Sequence, residues 1–260
     1  MLRGRALKVG MCVAVLSLLA WSSPAARAAE KDDVMKALQT LQKEVKSYTA
    51  SGKSTVTRGD RTFERTLTVV AKAPGKYKET ATSERMGERA TMCDGKTVWL
   101  PVGREGDIGR IDRAAVAKAL AIEVLASMYL PRDLIDLANP FLALNADTIE
   151  YNGREKMGDM DVYVFEGQSK WPARRRRGAE PFWPRQKFVI SAKDGLLRSA
   201  TSYNREGAES RVVTYTDIKI NPAVEDDVFA FKAPAGSMVE DATQATIDQM
   251  KAAMEAAKRL

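Results

Sequence analysis

An apolar stretch over residues 112–144 interrupts a chain whose other segments alternate like β-strands. Asp112 is suited to begin a helix, because its carboxylate can accept from the free N–H groups of the first turn. Pro131 is expected to end that helix, since proline has no N–H to donate. Residues 114–130 contain only two charged side chains. A helix that is apolar on nearly all sides is either buried or lies against something apolar. Two interpretations therefore stay open: a core helix, or a lid in a concave sheet that an apolar ligand displaces.

The segments around this stretch alternate polar and apolar residues, which is the period of a half-buried strand. Phe63 and Leu67 share one face of such a segment, and Asp94-Gly95 favours a two-residue hairpin turn. Strands are predicted at residues 48–58, 62–70, 77–83, 89–92, 97–100, 148–151, 161–166, 187–191, 196–203 and 210–220. Helices are predicted at residues 33–46 and 243–258. A sheet of about ten antiparallel strands curls and must cover its concave face. The pattern thus predicts an α+β fold in which the middle helix provides that cover.

The first 28 residues have the composition of a secretory signal peptide. Basic residues precede the apolar run 9–21, and Ala26-Arg27-Ala28 is a small-x-small cleavage site. The apolar run is short for a membrane span. Cleavage after Ala28 would leave residues 29–260, which we expect to form a single domain with a helical tail at 239–260.

Removal of the signal peptide would also change the charge of the chain. Arg3, Arg5, Lys8 and Arg27 would be lost, which lowers the formal net charge from +7 to +3. Most of the net positive charge would then belong to the signal peptide, and no nucleic-acid partner is expected. We predict a soluble protein exported to the periplasm.

The chain has no histidine, and Cys93 is its only cysteine after the predicted cleavage. Histidine is the usual acid/base near neutral pH and the commonest metal ligand. A Ser-His-Asp triad, a transition-metal site and an internal disulfide are therefore not expected, and no cofactor is predicted. A glycosidase needs only two carboxylates, so that chemistry stays open, although no motif singles out such a pair.

Several short motifs occur in a characteristic order along the chain. Residues 93–100 read CDGKTVWL, a hairpin, and residues 73–77 read APGKY, a Pro-Gly-basic-aromatic strand start. They are followed by DGLL at 194–197, TYTDI at 214–218, Asn221-Pro222 and FAFKAPAG at 229–236. In this order the motifs resemble those of the LolA-like outer-membrane lipoprotein carrier family, and the resemblance covers the mature chain to about Gly236.

This resemblance implies a curved antiparallel β half-barrel with helices covering its concave face. It also implies a non-enzymatic protein whose cavity takes the acyl chains of a lipoprotein or lipid. Two features depart from the family. A basic residue that helps to hold the lid precedes the strand-start proline in the carrier, whereas Ala73 stands here with Lys72 and Lys76 nearby. The tail at 239–260 extends beyond the matching segment.

The strand and insert residues that a half-barrel would place in its cavity are apolar, and core packing alone would explain them equally well. Sequence does not indicate which face is concave. The candidate cavity residues are Phe63, Leu67, Val69, Tyr77, Trp99, Leu120, Leu125, Met128, Val162, Val164, Val212 and Ile218.

A Pro-rich loop combines consecutive arginines with aromatic residues. Its members are Trp171, Arg174, Arg175, Arg176, Arg177, Phe182 and Trp183. One interpretation is a solvated hairpin loop whose aromatic rings fold back on the sheet. The other is a finger that contacts a membrane surface or a protein partner, because Trp favours headgroup depth and basic residues are attracted to anionic surfaces.

The sequence therefore favours a periplasmic, non-enzymatic carrier or binding protein for acyl chains. The alternative is an envelope-stress sensor of the same fold that acts through an envelope protein partner. A carboxylate-based hydrolase is the third hypothesis.

Overall fold

The computed structural model describes residues 24–85, 87–102, 107–121, 136–173 and 182–257. The described residues form three helices, α1 (Pro24–Lys43), α2 (Arg113–Leu120) and α3 (Thr243–Ala257). Six strands precede or adjoin α2: β1 (Ser47–Arg58), β2 (Arg61–Lys72), β3 (Lys76–Ser83), β4 (Gly87–Asp94), β5 (Thr97–Val102) and β6 (Asp107–Asp112). Six follow it: β7 (Glu150–Met157), β8 (Met160–Gln168), β9 (Arg185–Ser191), β10 (Leu197–Tyr203), β11 (Glu209–Ile220) and β12 (Val239–Asp241).

All twelve strands belong to one open, curled sheet with the order β12-β6-β5-β4-β3-β2-β1-β11-β10-β9-β8-β7. Every neighbouring pair is antiparallel except β12 and β6, which run parallel. The two halves of the chain meet where β1 pairs with β11, so the sheet is continuous across the insert. The α+β class and the large antiparallel sheet predicted from the sequence are confirmed.

Ten of the strands lie where alternation predicts them, and β6 and β12 are the additions. The sequence of β6, DIGRID, carries charges that obscure its apolar positions, and β12 has only three residues, all of them exposed. The predicted turn at 153–158 is also partly strand, because β7 continues to Met157 and pairs with β8 around Gly158.

The main hydrophobic core lies on one face of the sheet. Because side chains alternate along a strand, Leu67 and Val69 of β2 point to this face, which we call the core face. The helices contribute Leu38, Val116 and Ile247 to the same cluster, and all three are buried. The tail at 239–257 is thus part of the fold, since its helix α3 packs into the core.

Helix α1 approaches the β9–β10 turn closely. A side chain on Gly195 would meet the carbonyl oxygen of Leu38 at 3.1 Å, and the positive φ of 73° also favours glycine there. Gln42 Nε2 donates to the Gly195 carbonyl oxygen over 2.8 Å, which joins the helix to the turn. The predicted cleavage site after Ala28 lies within α1 and stays a prediction.

The apolar insert begins as predicted and then differs. Asp112 caps α2 by accepting from the Ala115 N–H over 3.0 Å. The predicted helix was expected to continue to Pro131, but α2 ends at Leu120, where Ala121 takes the left-handed conformation. Residues 122–135, with Leu125 and Met128, lie outside the described residues. The chain then returns with Leu137 fully buried in the core.

A smaller apolar cluster lies on the opposite face of the sheet. Trp99 stacks on Phe231 with ring centroids 4.5 Å apart and planes 8° from parallel. Asp226 accepts from Lys72 Nζ over 2.7 Å and from Lys76 Nζ over 2.6 Å, and these bonds lower the pKa of its carboxyl to about 2. Lys72 and Lys76, on either side of Pro74, therefore bind the segment that contains Asp226 and Phe231 to the sheet.

Candidate functional site

The core face extends beyond the elements that cover it. Along β1 and β2, Gly52 lies opposite Leu67, Ser54 opposite Arg65, and Val56 opposite Phe63. Leu67 is buried, whereas Arg65, Phe63 and Val56 are only half-buried. The covered core thus ends near Leu67, and the same face opens toward the β1–β2 hairpin.

An open pocket of about 1030 Å³ lies at this end of strands β1–β4. Val56 and Phe63 contribute apolar surface to its wall, in line with the core residues of the same strands. The β3–β4 hairpin adds Arg85 and Arg89, and β2 adds Arg65. Its lining includes five basic and two acidic residues, so the pocket is both partly apolar and cationic.

A polar cluster lies on the core face between the packed core and this pocket. Glu79 is only 5% exposed and accepts from the Tyr77 hydroxyl, with 3.3 Å between Tyr77 Oη and Glu79 Oε2. Arg211 Nε donates to Ser54 Oγ over 3.1 Å. Tyr215 is buried beside them, and a side chain on Gly52 would meet its ring at 3.1 Å. Gly52 therefore makes room for Tyr215.

Burial controls the ionisation of this cluster. Desolvation raises the pKa of Glu79 to about 7, although the charge of Arg211, the Tyr77 hydrogen bond and Arg65 oppose that rise. Desolvation lowers the pKa of Arg211 to about 10, although Tyr215 and Glu79 oppose this effect. The pKa of Tyr215 is raised, again mainly by burial. The ionisable groups of this cluster, Glu79 and Arg211 among them, are therefore poorly solvated.

The chain that follows the insert is joined to the core face by Tyr48. The Tyr48 hydroxyl donates to Asp136 Oδ1 over 3.0 Å and accepts from the Leu137 N–H over 3.3 Å. Leu137 in turn accepts from the Leu197 N–H over 3.0 Å. The segment at 136–138 is thus held between β1 and β10.

The structure brings together about half of the predicted cavity residues. Leu67, Val69, Tyr77 and Leu120 belong to the main core cluster, and Ile218 packs against it. Of the predicted set, Phe63 is the residue that lines the pocket.

The other described members lie on the opposite face of their strands. Val162 and Val164 are buried but alternate with the core residue Phe165, and the half-buried Val212 alternates with Val213. Trp99 packs on Phe231 there.

The two described ends of the arginine loop are joined to each other, because the Ala173 N–H donates to the Phe182 carbonyl oxygen over 2.7 Å. Trp171, Phe182 and Trp183 are half-buried. The guanidinium of Arg205 lies 5.4 Å from the centroid of the Phe182 ring. Arg174, Arg175, Arg176 and Arg177 lie outside the described residues, so the role of this loop stays a prediction.

Sequence reasoning missed the polar residues of the core face. Arg65 lies between Phe63 and Leu67 in the alternation, and Glu79 follows Tyr77 by two residues. Arg211 precedes Val213 in the same way. The sequence signal that could have identified them is a charged residue at a strand position where the alternation places an apolar one.

Within the part of the chain that the structure describes, no helix is long and apolar enough to cross a membrane. No protein-family model matches the sequence, and no curated protein is significantly similar to it.

Solved structures of similar fold exist at low sequence identity. An uncharacterized conserved protein from Thermus thermophilus is 9% identical with a TM-score of 0.51, over 82% of this chain and 99% of that one. A LolA superfamily protein from Nitrosomonas europaea is 12% identical with a TM-score of 0.38, over 77% and 97%. Lipoprotein LppX from Mycobacterium tuberculosis is 13% identical with a TM-score of 0.43, over 78% and 99%. At this identity, the similarity to the Thermus thermophilus protein concerns the fold alone.

Proposed function

We propose that this protein is a periplasmic, non-enzymatic carrier or binding protein that holds the acyl chain of a lipoprotein or lipid. The observation that carries the proposal is the pocket of about 1030 Å³ at the open end of the core face. Its apolar wall at Val56 and Phe63 continues the face that buries Leu67 and Val69. An acyl chain in this pocket would extend the core rather than bind a separate surface.

The size of the pocket fits a small-molecule ligand, and its lining, in which Val56 and Phe63 are the apolar members, suits one with a polar group as well as an apolar part. Ligand pockets are typically about 300–1,000 Å³ and combine apolar walls with a few polar groups. Burial of apolar surface would drive the binding, at about 25 cal/mol for each Å² removed from water. The packed core around Leu137 and Val69 restricts this ligand to the open end.

The resemblance to the carrier family supports the same function. The family's motifs occur here in order, and the chain carries a predicted signal peptide. The half-barrel, with helices on its concave face, is part of this proposal, as is the lid role of the insert at 112–144.

A fluorescent fatty acid provides the test. We expect it to bind the purified protein with a rise in fluorescence, and a Phe63→Asp variant to bind at least about tenfold more weakly, because a charge would replace a large apolar side chain in the wall. The matched control is Thr68→Asp, which places the same charge on the exposed opposite face of the same strand. Equal loss in both variants would contradict the assignment of the pocket.

The second candidate is a sensor that acts through an envelope protein partner, for which the packed core is the relevant observation. In this case the pocket would have lost its ligand-binding role, and the wild-type protein would bind no fatty acid in the same assay. That result would overturn the carrier proposal and favour the sensor.

A further inference from the structure

Basic residues predominate in the lining of the pocket, which includes Lys53, Arg58, Arg65, Arg85 and Arg89 with Glu64 and Glu84. Lys53 and Glu64 alternate with the core-face residues of their strands and point to the opposite face of the sheet. One of the two acids is already engaged, since Lys53 Nζ lies 2.7 Å from Glu64 Oε1. The remaining lining residues carry an excess of positive charge that comes from guanidinium groups.

Two of these arginines sit on the core face of the sheet. Arg65 lies two residues from Leu67 on β2, and Arg89 lies opposite Ala81 in the β3–β4 pairing. Since Ala81 in turn pairs with Leu67, both arginines border the covered core. Both are half-buried, so their charges are only partly solvated.

Arg65 and Arg89 present their guanidinium groups on the same face of the sheet, on β2 and β4, with β3 between them. A guanidinium presents paired N–H donors in a plane, and phosphate oxygens accept them two at a time.

We propose that the ligand is an anionic amphiphile whose phosphate group binds Arg65 and Arg89 while its chain lies along Val56 and Phe63. This inference rests on the proposed function and adds the class of headgroup to it. The apolar wall and the arginines lie within one pocket, so a single molecule with both parts would fill it. Arg58 and Arg85, which are exposed at the two hairpins, would attract the anion from solution.

Three probes separate the parts of this ligand: tetradecyl phosphate, tetradecyl maltoside with the same chain and no charge, and inorganic phosphate. Calorimetric titration below the micelle concentration should show that tetradecyl phosphate binds most tightly, with an affinity that falls as salt rises. Arg65→Gln and Arg89→Gln should each weaken its binding about tenfold and leave the maltoside unaffected, because each removes one charge-assisted contact.

Matched variants control for charge and folding. Arg154→Gln removes an arginine from the exposed edge strand β7 and should bind all probes like the wild type. Arg65→Lys keeps the charge without the paired donors and should bind tetradecyl phosphate with intermediate affinity. Cooperative thermal unfolding of each variant identifies those that are folded, and Arg65→Lys or Arg89→Lys replaces the corresponding glutamine variant if that variant does not fold.

The outcomes distinguish the headgroup from the chain. Equal binding of the phosphate and maltoside probes, unchanged in the arginine variants, would overturn the headgroup proposal and leave the carrier function intact. Inorganic phosphate that binds as tightly as tetradecyl phosphate would assign the site to a free anion and overturn the lipid ligand. Failure of both amphiphiles to bind would overturn the carrier function itself.

Discussion

Glu79 gives the structure a predicted pH dependence of stability. This carboxyl is 5% exposed on the core face, and burial raises its pKa from 4.5 to about 7. The folded state therefore binds more protons than the unfolded state between these two values. The free energy of unfolding should fall as the pH rises from about 4.5 to about 7, because the buried group must lose its proton.

The size of this effect follows from the shift. At about 1.4 kcal/mol for each pKa unit, the rise corresponds to about 3 kcal/mol of stability lost across this interval. Glu79→Gln keeps an acceptor for the Tyr77 hydroxyl but does not ionise. The variant should be more stable than the wild type at pH 8 by about this amount, and the difference should disappear near pH 4.

Urea unfolding at a series of pH values measures this difference. The control is Glu88→Gln, which removes an exposed carboxylate from the neighbouring strand β4 and should leave the pH dependence as in the wild type. If the Glu79→Gln variant has the same slope of stability against pH as the wild type, Glu79 titrates alike in the folded and unfolded states and burial does not raise its pKa.

Three further predictions address other parts of the chain. N-terminal sequencing of the native protein should begin at or near Ala29, and a retained Met1 would contradict the signal peptide. Tyr48→Phe should lower stability by about 1–3 kcal/mol in urea unfolding, because Asp136 and the Leu137 N–H lose a buried partner; an unchanged midpoint would show that this contact is unimportant. Replacement of the four arginines at 174–177 by serine should weaken co-sedimentation with anionic vesicles, less so at high salt, if the loop contacts membranes; equal binding would leave it a solvated loop.

The sheet was largely predictable because its signals are local. Alternation and turn residues identified ten strands, and Asp112 marked the start of α2. The strand β12 was not predictable, because its three exposed residues are strand only through pairing with β6, about 130 residues earlier. The end of α2 at Leu120 also lacks a signal, since Ala121 adopts a left-handed conformation that alanine rarely takes.

The candidate site was less predictable because it depends on which face of the sheet is covered. Phe63 and Trp99 are equivalent in sequence, as aromatic residues of amphipathic strands. Packing places the former in the pocket and the latter against Phe231. Val162 and Val212 were assigned to the cavity on the same grounds, but alternation with their neighbours puts them on the other face. The alternation in the sequence shows that each strand has two different faces. Which face lines the pocket depends on where the helices and loops pack on the sheet.

The position of the acyl chain on the open part of the core face can be measured directly. A deuterated protein with ¹³C-labelled, protonated valine methyl groups is combined with unlabelled tetradecyl maltoside, whose binding does not depend on a charged headgroup. Nuclear Overhauser effects are expected from the bound chain to Val56, which lines the pocket. None are expected to Val70 and Val212, which point to the opposite face. Effects to Val70 or Val212 without effects to Val56 would show that the chain does not lie on the core face.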